Sequence, residues 1–278
     1  MKKRRINRKK KKKSNNIYYW LTALIIIISL ALLSKFMIKI YNDFLKDNNN
    51  NHNLLNSRKI SEEKKINSIL KEYQNCLFGI DISKHQGKIN WDSIHSINSN
   101  YPITFVFVRA TQGIYKKDNF FDSNWNNLKA KKFIKGAYHY YNPDQNSSEQ
   151  AKNFIKTVHL EQGDLPPVLD IEELPKNQSL ELLKKGIMNW LRLIENEYKI
   201  KPIIYSNDAY FIHHIKDLNL DNYPIWVANY NPIKYPLHTR WSFWQFSEKG
   251  IIPGITYNFV DLNVFNGDIN KLNSLRVK

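Results

Sequence analysis

Four acids sit where apolar runs stop, and their placement suggests a pocket built from carboxyl groups. Asp81 closes Phe78-Gly79-Ile80-Asp81-Ile82, Asp170 and Glu172 close Pro167-Val168-Leu169-Asp170-Ile171-Glu172, and Asp261 lies in Val260-Asp261-Leu262-Asn263. A charge next to buried residues is costly unless it is paired or used. One such acid reads as an ion pair or a helix cap; four of them read as a pocket. Asp170 and Glu172 are two apart, so on a strand both point to one face, with Cα atoms about 6.5–7 Å apart. Carboxyl groups at that spacing can flank one bond, one protonating a leaving oxygen while the other stabilises developing positive charge. Glu173 falls on the opposite face and reads as a solvated charge. Arg109, at the end of another run, is a candidate partner for one of the acids.

Strands that carry these acids must be held at a common end. Short runs rich in β-branched and aromatic residues occur at 77–82, 103–109, 134–141, 167–171, 202–205, 224–228, 241–246 and 260–264. Helical faces lie between the earlier ones: Ala151, Phe154, Ile155 and Val158 form one, and Leu182, Leu183, Ile187, Trp190, Leu191 and Ile194 another. Alternating strands and helices predict an α/β fold with a parallel sheet inside a helical layer. This many strands in about 200 residues suits a closed barrel, whose functional residues gather at the strand C-termini. Helical patterns shrink toward the C-terminus, so the last strands should depart from a regular (β/α)₈ plan. No G-x-G-x-x-G follows the first strand, which leaves nucleotide binding unsupported. His139 lies between Tyr138 and Tyr140, but no second His or Cys has ligand spacing, so no metal is expected and His139 reads as packing or pocket lining. Trp125 and Trp190 read as core, His213-His214 as surface, and Cys76 as a small buried residue with no disulfide partner.

The 278 residues carry a net charge of +17, and ten Lys or Arg crowd into residues 2–13. Residues 76–278 hold 24 basic and 20 acidic side chains, a net of only +4. The basic run abuts residues 17–34, which contain no charge. At 1.5 Å per residue that stretch covers roughly 27 Å, close to a bilayer core. Phe36, Met37, Ile38 and Ile40 extend it, and Tyr18, Tyr19 and Trp20 sit where an interfacial belt belongs. The expected organisation is a basic cytoplasmic tail (1–16), a transmembrane anchor (17–40), a linker or stalk (41–75) and a catalytic domain (76–278). Residues 42–59, rich in Asn, read as a solvated linker; from Ser61 to Tyr73 the spacing of Ile66, Ile69, Leu70 and Tyr73 is helical. The expected topology is single-pass, with the N-terminus cytoplasmic and the domain on the periplasmic or extracellular side. A cleaved signal peptide is the rival reading. Anionic lipid accounts for the basic run, so no nucleic-acid partner is expected.

The motifs, taken in order, resemble the glycoside hydrolase family 25 lysozymes. Asp81-Ile-Ser-Lys-His-Gln86-Gly87 is similar to that family's opening D-x-S-x-x-Q-G. The resemblance continues through Phe107-Val-Arg-Ala-Thr111, Gly136-Ala-Tyr138-His139-Tyr140, Asp170-Ile-Glu172, Pro202-Ile-Ile-Tyr205, Ile225-Trp226, Trp244-Gln245 and Val260-Asp261-Leu-Asn263. It implies an irregular TIM-like (β/α)₅β₃ barrel that cleaves the β-1,4 bond between N-acetylmuramic acid and N-acetylglucosamine in peptidoglycan. It also implies Glu172 as general acid, Asp170 as the acid beside it, and Asp81 and Asp261 as further pocket carboxylates. Where the family often has Thr-Glu-Gly, this chain has Thr111-Gln112-Gly113, one negative charge fewer at the mouth. Tyr138, Tyr140, Tyr205, Trp226, Tyr230 and Trp244, with Arg109, are the candidate substrate-binding residues, aromatic faces stacking on sugar rings. Both a carboxylate-activated water and assistance by the substrate's 2-acetamido group fit such a site. The chemistry needs no cofactor, and a monomer is expected, with glycan strands and the bilayer as partners. The competing reading is a catalytically inactive, membrane-tethered peptidoglycan-binding protein.

Overall fold

A computed structural model of the chain describes residues 10–231, 236, 240–257 and 259–278. Residues 1–9, which hold six of the ten N-terminal Lys and Arg, lie outside them. The chain divides into two compact units, Met1–Ser61 and Glu62–Lys278.

Helix α1 (Lys10–Glu72) begins in the first unit and ends in the second. No glycine or proline occurs before Gly79, so the sequence contains no strong breaker along this helix. Its stretch Tyr18–Lys46 is long and apolar enough to cross a bilayer. The large apolar side chains there are exposed, Ile25 at 65%. The Asn-rich stretch 42–59, expected as a linker, is helical instead. A polar sequence free of breakers can still continue a helix.

In the second unit, the end of α1 buries Ile66, Ile69 and Leu70 in the domain core. Ten strands follow: β1 (Leu77–Ile82), β2 (Ser96–Ile97), β3 (Tyr101–Gln112), β4 (Lys116–Lys117), β5 (Ile134–Tyr140), β6 (Val168–Asp170), β7 (Ile203–Asn207), β8 (Ile225–Ala228), β9 (Trp241–Gly250) and β10 (Val260–Phe265). Eight of them close a barrel in the order β1-β3-β5-β6-β7-β8-β9-β10, with β10 returning to β1. The two-residue strands β2 and β4 hang from β3. Pairing is parallel from β1 through β9, whereas β10 is antiparallel to both β9 and β1. That reversed strand separates the barrel from a regular TIM barrel.

The helical layer is uneven. Helix α2 (Phe121–Ala130) precedes β5, α3 (Ser147–Thr157) precedes β6, and α4 (Leu180–Tyr198) precedes β7. A short α5 (Asp208–Tyr210) runs into a π-helical turn before β8, and α6 (Ile269–Leu275) follows β10. Among the described residues no helix joins β8 to β9 or β9 to β10. Part of that gap is covered from the other end of the chain: Tyr73, just past α1, packs its ring edge-on against Trp241 and Trp244 of β9, with centroids 5.9 and 5.8 Å away. On α4, Ser179 caps the N-terminus and Leu183, Ile187, Trp190, Leu191 and Ile194 are buried. Leu182, expected on that face, is 53% exposed; its position one residue before Leu183 turns it about 100° away.

Strand parity sets what the barrel encloses. Phe105, Phe107, Val168, Ile203, Trp226, Phe243 and Phe265 form the inner cluster, with Phe107 stacked on Trp226 at 4.5 Å. Gly79 and Gly136 make room for it, since a Cβ on either would come within 2.5 Å of the Phe105 or Phe107 ring. Intervening residues such as Ile80, Val106, Val108, Ile204 and Val227 join the outer core. If the end of α1 is part of this core, Leu70→Ala will cost about 2–4 kcal/mol of stability in denaturant unfolding. Exposed Leu182→Ala will stay within about 0.5 kcal/mol of the parent.

Candidate active site

Inward-facing positions turn from apolar to polar toward one end of the barrel. On β1, Gly79 is followed by Asp81; on β3, Phe105 and Phe107 by Arg109; on β6, Val168 by Asp170, with Glu172 two residues on. Because β10 runs the other way, its first turn of chain brings Asp261 to this same end, directly across from Asp81 in the β1–β10 register. The resulting cavity, about 230 Å³, is lined by all four candidate acids, Asp81, Asp170, Glu172 and Asp261. Arg109, Tyr138, Tyr140, Tyr205, Trp226 and Tyr230 also line it.

Trp244 does not. It is 1% exposed and packs outward among Tyr73, Trp241 and Phe246, its indole N–H donating to the Asn229 carbonyl at 2.9 Å. The reason is parity on β9: Phe243 and Gln245 face inward, so Trp244 faces out. Gln245 takes the pocket position and does connecting work. Its Oε1 accepts from the Tyr205 hydroxyl at 2.8 Å and from the Tyr230 hydroxyl, while its Nε2 donates to Asp81 Oδ2 at 2.8 Å. Asn263 mirrors it, accepting from the Trp226 indole and donating to Asp81 Oδ2, both at 2.8 Å. The sequence reading did not assign Gln245 or Asn263 to the site. Their presence beside Trp244 and Asp261 in the motifs, combined with strand alternation, was the available signal.

The opening motif builds the loop above Asp81. Ser83 Oγ accepts from the His85 amide, and Gln86 Oε1 accepts from the Ser83 amide at 2.9 Å. Gln86 Nε2 then ties the loop to the Phe259 carbonyl at 2.8 Å. Gly87 follows at φ +63°, a conformation that favours glycine. Across the mouth, Arg109 donates to Asp118 Oδ2 at 3.0 Å rather than to any of the four acids. Asp118 also accepts from the Lys84 and Phe120 amides.

The electrostatics follow from burial and crowding. Burial lifts Asp81 to about 6, against the opposing hydrogen bonds from Asn263 and Gln245. Burial, then the facing Asp81 charge, lifts Asp261 to about 9. Asp170 is raised by burial and by Glu172, with Arg109 pulling the other way. Glu172 is exposed at the mouth, yet walled in enough for desolvation to raise it, partly offset by its hydrogen bond with Asp170. A hydrogen bond between two carboxyl groups requires a proton, so Asp170 and Glu172 titrate as a pair. Asp170 Oδ1 is buried without a hydrogen-bond partner. Glu173 is exposed as expected, but it also accepts from the Tyr140 hydroxyl at 2.9 Å, so it steadies a wall of the cavity.

His139 lies outside the cavity. It is fully buried, bonded to Thr111 and Gln150 and stacked on Trp190, and burial lowers it to about 4. It is a neutral packing residue. Among the described residues no group of three or more His, Cys, Asp or Glu could hold a metal ion. Cys76 is half-buried against the core, as is Trp125, and His213 is exposed.

The arrangement has known relatives. The chain is 39% identical over 199 residues to YegX, an uncharacterized protein of Escherichia coli K12, covering 70% of this chain and 72% of that one. It is 31% identical to lysozyme M1 of Streptomyces globisporus, covering 71% and 70%. The crystal structure of a lysozyme from Streptomyces coelicolor superposes with a TM-score of 0.64 at 28% identity, over 72% of this chain and 96% of that one. Residues 80–255 match the profile of Glycosyl hydrolases family 25. With the barrel, the acid-lined mouth and these likenesses in agreement, the chain belongs to glycoside hydrolase family 25.

Proposed function

We propose that the domain is a muramidase that cleaves the β-1,4 bond between N-acetylmuramic acid and N-acetylglucosamine in peptidoglycan. The observation that carries the reading is the pairing of Asp170 with Glu172 in a cavity walled by Tyr138, Tyr140, Tyr205, Trp226 and Tyr230. Tyr140 and Tyr230, the accessible aromatics of the wall, hold the glycan while buried Tyr138, Tyr205 and Trp226 back them, and Glu172, open at the mouth, protonates the leaving oxygen. Asp170 assists. Its Oδ1 has no partner in the protein, which suits it to accept from the N–H of the substrate's 2-acetamido group as positive charge builds at the sugar carbon. Asp81 is fixed by two side-chain amides and supplies further negative potential, while Asp261, which keeps its proton near neutral pH, shares a hydrogen bond with it. The competing reading, a glycan binder without turnover, gives no role to a protonated pair at the mouth.

We further propose that the apolar helical stretch anchors the enzyme, with the basic residues on the cytoplasmic side. On this reading alkaline carbonate leaves the full-length chain in the membrane fraction. A soluble mature protein lacking residues 1–31 would show a cleaved signal instead.

Glu172→Gln keeps the shape and removes the transferable proton. Peptidoglycan digestion will fall at least about 10²-fold, while glycan binding persists. Glu173→Gln, which still offers Tyr140 an acceptor, will stay within a few-fold of the parent. A Glu172→Gln enzyme with parental turnover would refute the assignment of the acid.

Asp170→Asn separates the pair. Glu172 then no longer shares its proton with a second carboxyl group and instead meets an amide that donates to its carboxylate, so its proton is held less tightly. Turnover will drop by about 10²-fold or more, and the alkaline limb of the pH–rate profile will move to lower pH. An unchanged profile would remove Asp170 from the mechanism.

A further inference from the structure

Beside the acid cavity, and sharing Arg109 with it, lies a second cavity of about 170 Å³ of opposite character. Its lining includes Lys84, Arg109, Gln112, Lys116, Lys117 and Asp118. That space equals a handful of water molecules at about 30 Å³ each, enough for a small charged group. Two of its cations are committed: Arg109 to Asp118 at 3.0 Å, and Lys117 to Asp122 at 2.6 Å. The ammonium groups of Lys84 and Lys116 have no hydrogen bond or ion pair among the described residues. The frame beneath them is firm, because the buried Asp118 carboxylate gathers the Lys84 amide, the Phe120 amide and the Arg109 guanidinium. Gln112, a neutral side chain, lines this same space.

The ionised carboxyls of the acid cleft repel an anionic substituent on a bound glycan, and a cationic flank next to them offers such a substituent one favourable direction. On the muramidase reading above, the substrate carries such groups, since each muramyl residue bears a peptide with free carboxylates. We infer that the cavity formed by Lys84, Lys116 and Gln112 takes a stem-peptide carboxylate of the bound muramyl residue, making the enzyme selective for peptide-bearing glycan. The free ammonium groups supply the attraction. The neutral Gln112 avoids cancelling it, and Arg109 joins this subsite to the cleft where the sugar lies.

The test compares kcat/KM of the full-length enzyme on three substrates free of other wall polymers. These are native peptidoglycan, the same material with its peptide carboxyls capped as amides, and glycan strands stripped of peptide. Native material will be cleaved about three- to tenfold faster than capped or stripped material at low salt, the scale of a partly exposed charge pair. The advantage will shrink as salt is added. Gln112→Glu and Lys116→Met will each pull the native-to-capped ratio toward one, mainly through KM. Gln112→Lys will hold or raise it. Equal rates on native and capped substrate, or a ratio untouched by both charge-reducing variants, would overturn the inference. A preference appearing only on walls that retain phosphate-rich polymers would also overturn the assignment to carboxylates. Failure to cleave any of the three substrates would instead overturn the muramidase reading itself.

Discussion

Four carboxyl groups converge on one barrel mouth, and the guanidinium beside them is already committed elsewhere. Arg109 belongs to Asp118, and Asp81 is hydrogen-bonded by the neutral amides of Gln245 and Asn263 and by the facing Asp261, itself a carboxyl group. Like charges this close in a desolvated space cannot all ionise, so the cluster must retain protons near neutral pH. Asp261, lifted to about 9 opposite Asp81, is one site of retention, and the Asp170–Glu172 pair is another. A proton kept at the mouth by electrostatic necessity is a proton available for transfer. On the proposed mechanism the hydrolytic chemistry follows from burial first and crowding second, rather than from any one residue.

The barrel makes that crowding affordable. Its inner cluster is aromatic, and Phe107 stacked on Trp226 with Phe243 alongside gives a rigid floor below the acids. Trp226 belongs to both layers, packing on Phe107 below and donating its N–H to Asn263 above. The antiparallel β10 completes the arrangement. Reversal brings the beginning of that strand, and hence Asp261, level with the C-terminal ends of β1 and β9.

Much of this was legible in the sequence. The eight apolar runs fall on the eight barrel strands because β-branched and aromatic residues between turns leave few alternatives. Spacing predicted Asp170 and Glu172 on one strand face; β6 ends at Asp170, and Glu172, beyond the strand, still lines the same cavity. Trp244 was misplaced because its segment, Trp241-Ser-Phe-Trp-Gln-Phe, is apolar on both faces, and only the register decides which side meets the cavity. The amides that hold Asp81 come from β9 and β10, so their convergence depends on strand pairing that no local pattern states. The helix through the Asn-rich stretch was missed because composition reports solvation, not backbone conformation. The end of α1 was recognisable from its periodicity, whereas its packing through Tyr73 on β9 required the fold.

The central claim is that the protonated pair at this mouth cleaves on the reducing side of muramic acid. Mass spectrometry of the soluble fragments released from purified peptidoglycan, after borohydride reduction of new ends, tests it most directly. The account predicts that the newly formed reducing sugar is N-acetylmuramic acid, recovered as muramitol. Reduced N-acetylglucosamine at the new ends, or binding with no release of fragments, would contradict it.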